Sequence, residues 1–88
     1  MRVWSMDFRL TFFTRPSCEL CEAAWFVVQK VVGRRSIPVD IVDIASNEGK
    51  RWSAQYNEHI PVLHINGKEF CRHRVVEKEL RRALKGCE

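Results

Sequence analysis

The stretch that decides the fold covers residues 13–22 and reads FTRPSCELCE. Its two cysteines, Cys18 and Cys21, are three positions apart, which places them about one turn apart on a helix. An apolar run precedes the stretch, and the Arg15-Pro16 dipeptide predicts a turn between that run and a helix. Cysteines at this spacing serve as a metal clip, a structural staple or a working redox couple, and the elements around them separate these alternatives.

Two strands and a helix surround the cysteine pair. Residues 8–14 (FRLTFFT) are rich in aromatic and β-branched side chains and predict the first strand. From residue 19 to about 32, apolar residues recur at helical spacing, and Gly33 follows as a stop signal. Residues 37–44 (IPVDIVDI) predict a short strand with apolar groups on both faces, which favours a buried parallel position in a sheet.

The second half of the chain predicts a short helix, a hairpin and a closing helix. The short helix is capped by Ser46 or Asn47 and extends to about Tyr56. Residues 60–67 predict a strand that ends in an Asn-Gly pair, the strongest two-residue hairpin signal, and residues 69–73 predict its antiparallel partner. The closing helix lacks a good capping residue and carries an apolar stripe on Val76, Leu80, Ala83, Leu84 and Cys87.

The predicted order of elements is therefore β-α-β-α-β-β-α. A strand, a helix and a second strand form a right-handed parallel crossover, and the later hairpin adds antiparallel strands. The sequence thus predicts an α/β fold with a four-stranded mixed sheet and helices on both faces. A chain of 88 residues holds one modest core, so we expect residues 1–88 to form a single domain.

Composition and charge exclude several classes of protein. Apolar residues make up 45% and charged residues 30%, which is typical of a globular chain and excludes a disordered or collagen-like one. The net charge is +4, but Lys and Arg are scattered along the chain, so we expect no nucleic-acid partner. No apolar stretch approaches the roughly 18 residues of a membrane span, and Asp7 and Arg9 interrupt any secretory signal. We therefore expect a cytoplasmic monomer with no membrane partner, and a mitochondrial origin stays open.

Cys18 falls at the junction of the predicted loop and helix. Free backbone N–H groups and the positive end of the helix dipole stabilise a thiolate there, as does a nearby cation such as Arg15. Such settings lower a cysteine pKa from about 8.5 to about 3.5–7.5. Cys18 is therefore the candidate nucleophile, and Cys21, one turn deeper, is placed to attack a mixed disulfide on Cys18. The strand before the pair favours a redox couple over a zinc site.

The residues around the pair resemble a known family. FTRPSCELC (residues 13–21) is similar to the active-site segment of glutaredoxins, with Arg15 where a lysine is usual. HIPVLHING (residues 59–67) is similar to the segment around the cis-proline of the thioredoxin superfamily. Over about residues 8–85 the chain resembles the small glutaredoxin-like proteins of that superfamily. This resemblance implies a thioredoxin-like fold of the glutaredoxin type.

The resemblance also implies roles for individual residues. Cys18 would attack, Cys21 would resolve, and the two would form a redox-active disulfide. Pro61 would be cis and would present the backbone of Ile60 to an extended substrate, with Arg15 at the same substrate site. The implied activity is thiol-disulfide oxidoreduction on a disulfide-containing protein or a glutathione mixed disulfide. It implies no bound cofactor and no metal, with glutathione as a candidate reductant.

The sequence departs from glutaredoxins at one informative point. After the fourth strand they commonly have Gly-Gly, a small residue and Asp, which hold the carboxylates of glutathione. This chain has CRHRVVE (residues 71–77) there. The Trp-Cys-Gly-Pro-Cys segment of thioredoxin is absent as well, so the sequence singles out neither a glutathione donor nor a thioredoxin-type reductase.

Two other functions fit the same cysteines. One is a binding module on a thioredoxin-like frame, with the cysteines kept reduced and the groove near Pro61 taken by a partner. The other is a metal or cluster carrier that uses Cys18 and Cys21 across a dimer.

The remaining cysteines and the histidines enter none of these predicted sites. We expect Cys71 to pack within a strand and Cys87 to have no role. The histidines are His59, His64 and His73, and single histidines are usually structural or exposed.

Overall fold

The computed structural model describes residues 8–33 and 35–85. Its elements, in chain order, are β1 (Leu10–Thr14), α1 (Glu19–Val32), β2 (Val39–Asp43), α2 (Ser53–Tyr56), β3 (Val62–Ile65), β4 (Lys68–Arg72) and α3 (Glu77–Ala83). A single 3-10 turn, Lys50–Trp52, leads into α2. The order confirms the predicted β-α-β-α-β-β-α, and α1 has its predicted bounds. Within the described ranges no helix is long and apolar enough to cross a membrane.

The strands form one mixed sheet in the order β2-β1-β3-β4. β1 pairs parallel with β2 and antiparallel with β3, and β3 pairs antiparallel with β4. The parallel pair needs the crossover that α1 provides. Asn66 and Gly67 close the β3-β4 hairpin with φ angles of 53° and 82°, the left-handed region that such a tight turn requires. The predicted four-stranded mixed sheet is confirmed, and β1, which leads into the cysteine pair, is paired on both sides.

Two apolar clusters cover the two faces of the sheet. The first lies between the sheet and helices α1 and α3 and includes Phe12 and Val28. The second lies against α2 and includes Phe13 and Tyr56. Phe12 and Phe13 are neighbours on β1, and their opposite directions follow from the two-residue period of a strand. Helices therefore cover both faces, as predicted, and Cys21 at the start of α1 belongs to the second cluster.

β2 lies at an edge of the sheet, and the buried position that its sequence predicted is wrong. Among residues 8–33 and 35–85 it pairs with β1 alone, and Ile41 is 56% exposed. Its apolar residues lie on opposite faces of the sheet. Ile41 lines a cavity beside α1, and Val42 packs against the second cluster. The parallel pairing was predicted correctly. The position of β2 within the sheet was not, because an apolar pattern does not show whether a further strand pairs on the other side of β2.

The segment between β2 and α2 is a turn, where the sequence predicted the start of a helix. Ser46 donates from Oγ to the carbonyl oxygen of Asp43 (2.6 Å) and accepts from the N–H of Gly49 (3.1 Å). A Cβ atom at Gly49 would overlap the Asp43 carbonyl group. Serine side chains of this kind compete with helix formation by bonding to the nearby backbone. The helix accordingly begins only at Ser53, after the 3-10 turn.

The closing helix α3 agrees with its predicted weak start. Val76 precedes it in an extended conformation and makes no capping bond from its side chain. Leu80 and Leu84 are buried in the first cluster, which ties the helix to α1. Cys87, the last residue of the predicted stripe, lies outside the described residues.

Candidate active site

The two cysteines of the decisive stretch lie at the first turn of α1. Cys18 caps the helix with an extended backbone (φ −119°, ψ 103°), and Cys21 lies within the first turn. They form a disulfide, with Cα atoms 5.2 Å apart. That separation is within the usual range of about 4.4–6.8 Å. The sulfurs therefore lie at one end of one helix, as their spacing indicated.

The two sulfurs differ in exposure and in polar surroundings. Cys21 is 2% exposed and packs in the second cluster, whereas Cys18 is partly exposed. Sγ of Cys18 accepts a hydrogen bond from the backbone N–H of Cys21 at 3.2 Å. That N–H is one of the helix-start donors that have no partner inside the helix. An incoming molecule therefore reaches Cys18 first, at the positive end of the helix dipole.

The residues on either side of Cys18 establish this geometry. Ser17 has a φ of 58°, which turns the chain from β1 toward the helix. The N–H of Glu22 donates to the carbonyl oxygen of Cys18 (3.0 Å) and begins the helical ladder. Glu19 and Glu22 are exposed in the first turn, where the helix dipole favours carboxylates. Their charges stabilise the helix start and act against a thiolate at Cys18.

The loop before β3 carries the predicted cis-proline. The Ile60-Pro61 peptide is cis, which confirms the expectation that came from the resemblance. The Ile60 N–H donates to the Tyr56 carbonyl oxygen (3.2 Å), and the Pro61 carbonyl oxygen accepts from the N–H of His73 (2.7 Å). The Ile60 carbonyl oxygen accepts no hydrogen bond from any residue that the structure describes. Ile60 is buried in the cluster that also holds Cys21, so the loop and the disulfide share one apolar base.

Arg15 lies at the site, and its guanidinium bonds to a residue of the segment after α2. Its Nη1 donates to Oδ1 of Asn57 at 2.8 Å. Arg15 also lines a cavity of about 160 Å³ together with Cys21, Glu22 and Trp25. The sequence placed Arg15 near Cys18, and the structure adds Asn57 as the residue that orients it. Asn57 is 42 residues away in sequence, so no local pattern could have paired the two.

A buried tyrosine-histidine pair, which the sequence did not indicate, lies in the second cluster. The hydroxyl of Tyr56 and Nε2 of His64 are 2.8 Å apart, and the residues are 1% and 8% exposed. Both rings pack against Phe13, with centroids 5.0 and 4.6 Å away. Burial lowers the pKa of His64 and raises that of Tyr56. His64 is therefore held neutral beneath the site.

A pair of histidines lies beside the cis-proline loop. Nδ1 of His59 and Nε2 of His73 are 3.3 Å apart, although 14 residues separate them in sequence. The N–H of His73 also donates to the carbonyl oxygens of Pro61 and His59, at 2.7 and 3.2 Å. The β3-β4 hairpin brings these residues together. Its Asn-Gly turn was the only sequence signal for this contact.

Cys71 is the free cysteine of the described residues, and it packs against the first cluster as expected. Burial raises its pKa to about 11, and the charges of Glu79 and Glu69 act in the same direction. This thiol is therefore a poor nucleophile at neutral pH. In the part of the chain that the structure describes, no three His, Cys, Asp or Glu side chains form a group that could hold a metal ion.

The molecule has a four-stranded mixed sheet, a disulfide at the start of the first helix and a cis-proline in the loop that shares an apolar cluster with that disulfide. These features define a protein of the thioredoxin fold, in its small glutaredoxin-like form. The chain belongs to the Glutaredoxin-like domain (DUF836) family, whose family model matches residues 9–85. The resemblance that the sequence indicated is confirmed. A cysteine pair at disulfide distance on this fold supports a redox-type function.

Individual proteins agree with this assignment. The Glutaredoxin-like protein YDR286C homolog of Dictyostelium discoideum is 28% identical over 75 residues, covering 81% of this chain and 69% of its own. The solution structure of protein Ne2328 from Nitrosomonas europaea has a TM-score of 0.74 at 22% identity, covering 97% of this chain and 100% of its own. Thioredoxin O2 of Arabidopsis thaliana has a TM-score of 0.66 at 16% identity, covering 91% and 74%. At these identities the two structures show a shared fold.

Proposed function

We propose that this protein is a thiol-disulfide oxidoreductase in which Cys18 is the attacking cysteine and Cys21 the resolving one. The observation that carries the proposal is the hydrogen bond from the Cys21 N–H to Sγ of Cys18 at a helix start, with Cys21 itself buried. A donor aimed at a sulfur favours its thiolate form, and the helix dipole acts in the same direction. The accessible sulfur is thereby the better nucleophile of the two.

The reaction begins from the reduced dithiol. The Cys18 thiolate attacks one sulfur of a substrate disulfide, forming a Cys18-substrate bond and breaking the substrate S–S bond. The leaving sulfur departs as a thiolate and takes a proton from solvent. The negative charge thereby passes from Sγ of Cys18 to the leaving sulfur.

Cys21 completes the turnover. Its thiol gives up a proton and attacks Sγ of Cys18, which forms the Cys18-Cys21 disulfide and frees the second substrate thiol. The two electrons that reduce the substrate come from the protein dithiol, so the protein ends in the oxidised state. Because the cysteine Cα atoms are only 5.2 Å apart, this second attack is intramolecular and favoured over capture by an outside thiol.

Substrate binding is assigned to Arg15, Ile60 and Pro61. The Ile60 carbonyl oxygen is an acceptor for the N–H of an extended substrate, which would pair with it as an added strand does. The Ile60 N–H is already donated to Tyr56, so the pairing is through the carbonyl oxygen alone. Arg15, held by Asn57, supplies a cation at the same rim. The substrate class is a disulfide-containing protein or a glutathione mixed disulfide in the cytoplasm.

Glutathione is a candidate reductant, with two glutathione thiols returning the two electrons, and a thioredoxin-type reductase is the alternative. The test is disulfide reduction with a glutathione-linked and a thioredoxin-linked reductant system side by side. Activity is expected with one of the two systems, which identifies the donor, and it is expected to disappear in Cys18→Ser. Cys71→Ser is the matched control, since that thiol lies outside the site and should leave the rate unchanged. Turnover that survives in Cys18→Ser would rule out the proposed chemistry.

A further inference from the structure

The backbone of β2 has hydrogen-bonding groups that face away from the sheet. The N–H of Leu10 donates to Pro38 O at 3.0 Å, and the N–H of Ile44 donates to Thr14 O at 2.9 Å. In a parallel ladder, alternate residues of a strand bond to the same neighbour. The even-numbered residues of β2 therefore bond to β1. The N–H and C=O groups of Val39, Ile41 and Asp43 face the free edge, although the Asp43 carbonyl oxygen is taken by Ser46.

This edge is less protected against pairing than the other edge of the sheet. Ile41, at its centre, is 56% exposed. Both carboxylates of β2 have partners, since Asp40 is bound to Arg9 through contacts of 2.8 and 3.3 Å and Asp43 accepts from the N–H of Ala45 at 2.8 Å. β4, at the other edge of the sheet, differs in two ways. Its residues include Lys68, Glu69 and Arg72, and its register with β3 shifts at a bulge. Charges and bulges are the means by which natural sheets prevent edge pairing, and β2 keeps an unbroken register over its five residues.

The sequence of β2, Val-Asp-Ile-Val-Asp, is compatible with a copy of itself in one antiparallel register. In an antiparallel pair of two β2 strands, only residues whose N–H and C=O groups face outward can form hydrogen-bonded pairs. These are the odd-numbered residues, so alternative registers differ from one another by two residues. With Ile41 opposite the partner's Ile41, all five residues overlap, and Asp40 and Asp43 each face a valine. A shift that places Val39 opposite the partner's Ile41 would put Asp40 opposite the partner's Asp40. Like charges directly opposite destabilise a sheet. The opposite shift, with Ile41 opposite the partner's Asp43, pairs only three residues of β2 and depends on an Asp43 carbonyl oxygen that Ser46 already occupies, so the centred register is favoured.

We propose that the β2 edge is a homodimer interface in which two copies of this chain pair antiparallel about Ile41. The pairing joins two four-stranded sheets into one continuous sheet of eight strands. Four backbone bonds are available, two between the Ile41 residues and one from each Asp43 N–H to the opposite Val39 carbonyl oxygen. The proposal replaces the expectation of a monomer, and it does not rest on the redox activity.

The interface is adjacent to the disulfide. Ile41 lines the cavity of about 160 Å³ that Cys21 and Trp25 also line. Residues directly opposite on one face of an antiparallel pair have Cβ atoms about 4.5–5.5 Å apart. The partner's Ile41 would therefore lie at the mouth of this cavity and cover the side of the site away from the cis-proline loop.

The first test is sedimentation of the full chain over a range of concentrations, with a thiol reductant present to exclude intermolecular disulfides. A concentration-dependent monomer-dimer equilibrium is expected. Ile41→Lys places two cations opposite each other and should raise the dissociation constant about tenfold or more. The control is Phe26→Lys on α1, where the side chain is 67% exposed, and it should leave the equilibrium unchanged. A wild-type chain that stays monomeric throughout, or equal weakening by both variants, overturns the proposal.

The second test reads the register and needs no destabilising substitution. In a hydrogen-bonded antiparallel pair the Cα atoms are about 5.5 Å apart, within disulfide reach. Ile41→Cys should give a dimer linked between the two copies of position 41 on mild oxidation, identified by peptide mass mapping. Asp40→Cys faces the partner's Val42 and should not link to its own copy. A link at position 40 without one at position 41 overturns the register.

In the unmodified chain, hydrogen exchange at the Ile41 amide should slow as concentration rises, and exchange independent of concentration counts against the dimer.

Discussion

The backbone N–H of Cys21 donates to Sγ of Cys18 across 3.2 Å, so the residue that is proposed to attack this sulfur also stabilises it. The bond exists because Cys18 caps α1 and Cys21 occupies the third helical position, where the N–H has no partner within the helix. A spacing of three positions therefore supplies two properties at once. It brings the sulfurs within bonding distance and directs a donor at the first of them.

Cys18 should alkylate at a lower pH than an ordinary thiol in the reduced protein. The rate with iodoacetamide is expected to reach half its maximum below about pH 7.5, because the helix-start donor favours the thiolate. Cys71 is the internal control, since burial raises its pKa to about 11 and its reaction should need strongly alkaline pH. Mass mapping of alkylated peptides separates the two. Equal pH profiles for Cys18 and Cys71 would contradict the assignment of Cys18 as nucleophile.

Cys21→Ser should accumulate a mixed disulfide between Cys18 and its substrate. Without the second thiol the intermediate is not resolved internally, and it persists until an outside thiol attacks it. Intact-mass measurement after exposure to oxidised glutathione should show a single glutathione adduct on Cys18. The double variant Cys18→Ser/Cys21→Ser is the control, and an adduct of equal yield there would place the reactive thiol elsewhere.

His64 should make the protein less stable as the pH falls below about 6.5. Burial lowers the pKa of His64 in the folded chain, whereas the unfolded chain takes up a proton near the ordinary value of 6.5. Between the two values the unfolded state binds more protons, so the free energy of unfolding rises with pH and its full value is present above about pH 6.5. Urea unfolding at pH 7.5 and 5.5 measures the difference.

The matched variants for this effect are His64→Gln and His73→Gln. His73 is exposed, so its variant should keep the stability loss at pH 5.5, and His64→Gln should reduce it. Glu69 does not confuse the result. The hydrogen bond with Arg72 lowers the pKa of Glu69 below the usual 4.5, so the stability that this carboxylate contributes is lost only at a pH below that of the test. The same loss in both variants would assign the effect to another group.

Gly49→Ala should destabilise the fold by about 1–3 kcal/mol, because the added Cβ would overlap the Asp43 carbonyl group. Backbone atoms cannot move aside as the end of a flexible side chain can. Gly67→Asn is the comparison, since a Cβ there meets nothing within 4 Å and Asn tolerates its φ of 82°. The strain of a side chain at a positive φ is the only penalty there, so that change should cost less than Gly49→Ala. Chemical denaturation measures both, and similar losses would show that the contact at Gly49 is not limiting.

Much of the fold could be predicted because its signals are local. The bounds of α1 follow from apolar residues at helical spacing and from Gly33, whose N–H donates to Gln29 O at 2.8 Å and ends the helix. The β3-β4 hairpin follows from Asn66-Gly67, which adopt the left-handed angles that few other pairs tolerate. The turn at residues 44–49 was missed because Ser46 can cap a helix or close a turn, and its partner Asp43 belongs to the preceding strand.

The sequence by itself determined the order of elements, the place of Cys18 at a helix start and the depth of Cys21 behind it. These depend on interactions between residues a few positions apart, which a periodic pattern records. Only the tertiary structure decided that β2 is an edge, that Asn57 orients Arg15, that Tyr56 bonds to a neutral His64 and that His59 meets His73. Such contacts depend on strand order and on the register of the hairpin. They arise only when the buried faces of separate elements are packed together, so no single stretch of the chain encodes them.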